Sequence, residues 1–78
     1  MDIFVSNFRK VGVSAEKPTF LYKYGIRTNY QVYKSATHPL VYTVYDHLKR
    51  LYYSFESNGK SKNIDEDIRE CIRTFIKE

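Results

Sequence analysis

The segment from Asn63 to Lys77 determines more of the fold than any other part of this chain. Asn63 is a good N-cap, and Glu66 three residues later completes a capping-box pattern. Asp65, Glu66 and Asp67 fill the first turn, where the positive end of the helix dipole favours carboxylates. Ile64, Ile68, Cys71, Ile72, Phe75 and Ile76 form one narrow apolar stripe. Arg69, Arg73 and Lys77 sit on the other side, with Asp65–Arg69 and Glu70–Arg73 spaced for helical ion pairs. The pattern predicts a helix over 63–77.

A second helical period precedes it. Leu40, Val41, Val44, Tyr45, Leu48, Leu51, Tyr52 and Phe55 fall within an arc of roughly 140° at about 100° per residue. Pro39 suits a first helical turn, where its missing N–H has no partner to lose, and His38 before it is biased to extended geometry. Asn58-Gly59 supplies a stop, because Gly takes the left-handed conformation without a Cβ clash. These signals predict a helix over 39–57. The short polar linker 57–62 makes the two helices antiparallel neighbours.

Residues 1–36 carry strand signals instead. Ile3, Val5, Val11 and Val13 share one parity, and Phe4 and Phe8 the other. Pro18 interrupts after the polar stretch Ser14–Lys17. Phe20, Tyr22, Tyr24 and Ile26 then alternate with Leu21, Lys23 and Gly25, and Tyr30, Val32 and Lys34 with Gln31 and Tyr33. A turn through Arg27–Asn29 separates these runs, and a bulge is expected near Ser6-Asn7. The expected fold is α+β, a single small domain over 1–78. A three-stranded antiparallel meander (1–36) is packed by two C-terminal antiparallel helices, in the order β-β-β-α-α.

Size and chemistry exclude several functions. A chain of 78 residues buries only about 60% of its unfolded surface, too little for a two-lobed enzyme or a Rossmann domain. One Cys allows neither an internal disulfide framework nor a Cys cluster for zinc, and no cofactor or metal is expected. The chain shows no signal-peptide h-region and no apolar run of membrane-spanning length, so a cytoplasmic, intracellular location is expected, with no membrane partner. Phosphate-loop, zinc-protease and serine-hydrolase motifs are absent. Cys71 lies in the apolar stripe and reads as a buried hydrophobe, and His47 packs at a helix edge. His38 is the histidine with freedom to act. The chain reads as a non-enzyme.

The charge is unevenly placed. Thirteen Lys and Arg against nine Asp and Glu give +4, and residues 1–36 hold six of these cations against two carboxylates. The same stretch is rich in tyrosine. Cations interleaved with rings on an open sheet suit single-stranded nucleic acid, since rings stack on bases and cations track phosphates. The candidate site is Arg9, Lys10, Tyr22, Lys23, Tyr24, Arg27, Tyr30, Tyr33 and Lys34. The expected partner is nucleic acid, or a nucleic-acid-binding host protein or nucleoprotein. Contact with about four phosphates implies a log K against log salt slope near −3 to −4.

A secondary patch follows from the first expected helix. Tyr42, Asp46, Lys49 and Tyr53 fall opposite its apolar arc and read as a protein-contact surface, because Tyr is enriched at interface hot spots. A homodimer through that helix is a further expectation. Strands followed by two helices, short length and a Lys/Tyr/Ile-leaning composition are loosely similar to small phage and mobile-element proteins. That likeness implies an alternative: an inhibitor or adaptor, of the anti-CRISPR-like counter-defence kind, that occludes a host protein. A small metal-independent ribonuclease using His38 is the third reading.

Overall fold

Among the described residues, every strand pairing belongs to one sheet. The computed structural model describes residues 4–76. Its strands are β1 (Phe4–Val5), β2 (Phe8–Ser14), β3 (Leu21–Lys23), β4 (Gln31–Ser35), β5 (Val41–Asp46) and β6 (Leu51–Ser57). They form a six-stranded antiparallel sheet in the order β1-β2-β6-β5-β4-β3. One helix follows, α1 (Ile64–Cys71), continuing as π-helical turns through Ile72–Ile76. The expected three strands plus two helices are therefore replaced by six strands and one helix of 13 residues.

The expected helix over 39–57 is a β-hairpin. Val41, Thr43 and Val44 are β-branched, and Tyr42, Tyr45, Tyr52, Tyr53 and Phe55 are aromatic, all side chains that pack well on a pleated surface. Helical periodicity was satisfied because large side chains stand on both faces of these strands. In the hairpin, Tyr42, Val44, Tyr53 and Phe55 point to one face, and Val41, Thr43, Tyr45, Tyr52 and Ser54 to the other. The turn between the strands carries its own signal. The Asp46 carboxylate accepts from the Leu48 N–H at 3.0 Å, and Arg50 adopts a left-handed φ of 58°. Pro39 is the corner of a β-turn closed by Val41 N–H donating to the His38 carbonyl at 2.9 Å. Gly59, at φ 81°, turns the chain from β6 toward α1.

The N-terminal stretch is not one meander either. It supplies four strands, and the β5–β6 hairpin separates them into two edge pairs, β1–β2 on one side and β4–β3 on the other. Ser6 and Asn7 are a two-residue hairpin turn, both with positive φ (50° and 67°), rather than a bulge. The irregularity in register falls between Lys10 and Gly12.

The helix over 63–77 is confirmed from its N-cap through Ile76, Lys77 lying outside the described residues. The Asn63 side chain accepts from the Glu66 N–H at 3.2 Å. Glu70 pairs with Arg73, but Arg69 pairs with Glu66 rather than with Asp65. Ile68, Cys71, Ile72 and Ile76 are buried against Phe8, Val32, Tyr42, Val44, Tyr53 and Phe55, so the apolar stripe closes one face of the sheet. Each fully buried large side chain here contributes roughly 1.5–3 kcal/mol of transfer free energy. Polar contacts fix the helix to the β1–β2 turn: Asn7 Nδ2 donates to Asp67, as does the Ser61 hydroxyl.

Candidate functional site

Register assigns each strand candidate to a face, while Tyr24, Arg27 and Tyr30 lie in the connection between β3 and β4. Phe8, Lys10, Val32, Lys34, Tyr22 and the core residues of β5 and β6 lie on the helix side. Arg9, Lys23 and Tyr33 lie on the opposite face, which carries no helix. The nine expected site residues thus do not form one surface. Their strands sit at opposite edges of the sheet, and alternation divides them between its two sides.

Those on the helix side are engaged in holding the fold. Lys34 Nζ sits 4.5 Å from the Tyr42 ring centroid and donates to the Pro39 carbonyl. Lys10 lies 5.6 Å from the Phe75 centroid. The Tyr24 ring meets Tyr42 edge-on at 5.2 Å, and its hydroxyl donates to Asp65 at 3.1 Å. Tyr30 packs against the core beside His47, and the Arg27 carbonyl accepts from Arg69 Nε at 2.9 Å. Tyr22 is exposed on the edge strand β3.

The secondary patch is corrected outright. Tyr42 is 3% exposed, Asp46 3% and Tyr53 6%, so three of its four members are interior, and only Lys49 is exposed. The helix through which a homodimer was expected does not exist, and that expectation goes with it.

The helix-free face holds a different constellation. Tyr33, Tyr45 and Tyr52 stand on β4, β5 and β6, in two adjoining cross-strand rows. One row runs Lys23, Tyr33, Thr43, Ser54; the next runs Gln31, Tyr45, Tyr52, Ser14. The Tyr45 and Tyr52 rings pack with centroids 4.5 Å apart and planes inclined by 33°. Lys17, from the β2–β3 loop, lies over the Tyr33 ring at 4.6 Å. Burial against its neighbours raises the Tyr52 phenol above its ordinary pKa, and the Tyr45 and Tyr33 hydroxyls add to this. At the β1–β2 side of this face, Arg9 is paired with Glu56.

Tyr45 and Tyr52 were missed because their positions fell inside an apparent helical arc. Their signal is strand alternation on each side of Asp46–Arg50: Val41, Thr43 and Tyr45 share one parity, and Tyr52 answers Tyr45 after the turn.

Asp65, Glu66, Asp67 and Glu70 all lie on α1, across the sheet from the tyrosine rows. Cys71 is buried and its thiol is pushed up to about 12, chiefly by burial, with Asp67 and Glu70 adding to the effect. That makes it a small hydrophobe, as its place in the stripe implied. Among the described residues, no group of three or more His, Cys, Asp or Glu side chains is placed to hold a metal ion, and no helix is long and apolar enough to cross a membrane. No protein-family model, curated protein or solved structure matches this chain.

Proposed function

We infer that this is a non-enzymatic binding protein, acting inside the cell, that engages single-stranded nucleic acid on the helix-free face of its sheet. The observation that carries the reading is the cluster of Tyr33, Tyr45 and Tyr52 in two adjoining rows on three adjacent strands, with Lys17 against Tyr33 and Lys23 at the end of its row. Rings held by a rigid sheet present stacking surface with little entropy left to lose. Each stacked base is worth about 1–3 kcal/mol by truncation. Lys17 and Lys23 supply phosphate contacts, and the carboxylates of α1 are kept on the far side of the sheet. Arg9 adds less to the field, because Glu56 neutralises it.

The test is fluorescence anisotropy with a labelled single-stranded oligothymidylate at two salt concentrations. Two or three phosphate contacts give a log K against log salt slope of about −1.5 to −2 for a single strand. Tyr45→Ala with Tyr52→Ala abolishes binding at unchanged circular dichroism, and Lys17→Glu with Lys23→Glu does the same. Absence of binding by the parent protein at low salt refutes the reading. The adaptor reading draws on another surface: Phe4, Val11 and Val13 are exposed along the β1–β2 edge. It predicts a protein partner that is lost on Val11→Lys and indifferent to Tyr45→Ala.

A further inference from the structure

Next to the tyrosine rows, the β2–β3 loop and the β4–β5 turn enclose a concavity of about 390 Å³, lined among others by Phe20, Ser35, His38, Val41, Thr43 and Ser54. Its volume falls within the roughly 300–1,000 Å³ of small-ligand sites. Thr43 and Ser54 belong to the same cross-strand row as Tyr33 and Lys23, so the concavity continues the surface described above. We propose that it receives one nucleobase of the bound strand; this rests on the nucleic-acid reading and specifies where a single base is held.

Two features give the concavity that chemistry. The first is Phe20, which holds a left-handed φ of 59°, a conformation bulky side chains avoid. Its carbonyl accepts from the Ala36 N–H at 2.7 Å, which fixes the backbone there. The ring gains little burial in return, being 69% exposed. A strained backbone that holds an aromatic ring out beside a concavity presents a π-face to a planar ligand. The second is the hydroxyl pair of Thr43 and Ser54, whose oxygens lie 3.0 Å apart. One proton bridges them; Thr43 is buried at 1% exposure and orients its neighbour, so the remaining hydrogen-bonding capacity of the half-buried Ser54 is what meets the polar edge of a base. Val41 and Leu21 provide apolar wall, and no carboxylate lines the space, as a polyanion requires.

The experiment uses the full chain, with oligothymidylate binding read by anisotropy and thymidine 5′-monophosphate titrated by amide NMR. Phe20→Gly keeps the left-handed backbone without strain, so the variant is at least as stable as the parent while binding the oligonucleotide about five- to 150-fold more weakly. Thr43→Ala weakens it in the same direction. The monophosphate shifts the amides of Thr43 and Ser54 in the parent and leaves them unmoved in Phe20→Gly. If both variants bind the strand as the parent does, or if those two amides stay silent, the base pocket is overturned while the tyrosine rows still stand. If the parent binds no strand at all, both fall together.

Discussion

The Tyr24 hydroxyl donates to the Asp65 carboxylate at 3.1 Å and ties the chain just beyond β3 to the first turn of α1. The tie matters because the β3 side of the sheet is an edge, and Tyr24 also pairs its N–H with the Val32 carbonyl at 2.9 Å. Tyr24→Phe removes the hydroxyl and keeps the ring against Tyr42. The expected loss is about 1 kcal/mol, below the value for a fully buried charged bond because the pair is part-exposed. A double-mutant cycle with Asp65→Asn, followed by urea unfolding, recovers that coupling. Additive single losses refute it.

Tyrosines of one hairpin answer substitution in two ways. Tyr42 and Tyr53 are interior, so Tyr42→Ala or Tyr53→Ala costs about 3–5 kcal/mol by lost transfer energy and cavity formation. A domain of this size has about 4–12 kcal/mol to lose, so such variants are marginal or unfolded. Tyr45→Ala and Tyr52→Ala, on the other face and half-exposed, leave the fold intact. Thermal melts of the four variants check this. Equal losses at all four positions contradict the facing assigned here.

How far the chain could be read from its sequence follows from the range of each signal. The helix from Asn63 was legible because its cap, acidic first turn and apolar stripe are all local. The alternations at Leu21–Lys23 and Gln31–Ser35 were legible for the same reason. Residues 41–57 were not, since side chains of similar size on both strand faces also satisfy a 3.6-residue period, and Thr43 and Ser54, opposite each other on the helix-free face, break it with small polar groups. For the site, Lys23 and Tyr33 were found by composition. Tyr45 and Tyr52 could be found only once the hairpin was known, and the strand order that separates Arg9 from Lys23 depends on contacts remote in sequence.

Alkaline pH selectively weakens the fold. Cys71 has its thiol raised from 9.0 to about 12 by burial, and Tyr24 is raised above 10.0 by burial and then by its bond to Asp65. In both cases the unfolded chain releases its proton first and binds fewer protons than the native one. The contribution of Cys71 is therefore full below about pH 9 and is lost as pH rises toward about 12, and Tyr24 adds a loss in the same direction above pH 10. Urea unfolding at neutral and alkaline pH measures the slope, and Cys71→Ala flattens it. Rapid labelling of the native thiol by a disulfide reagent at neutral pH contradicts the burial argument.

The pairing of β2 with β6 sets an order of events. Phe8 lies opposite Ser57 and Ser14 opposite Tyr52, so the first hairpin can find its neighbour only after nearly all the intervening chain exists. The strands from β3 to β6 meet their neighbours through short local turns and pay little loop-closure entropy. During synthesis, Phe4–Ser14 leaves the ribosome first yet docks last, its exposed edge waiting through that interval. Pulse-labelled hydrogen exchange during refolding should show amides of β4 and β5 protected before those of β2, and the reverse order would mean that the sheet nucleates at its β1–β2 margin instead.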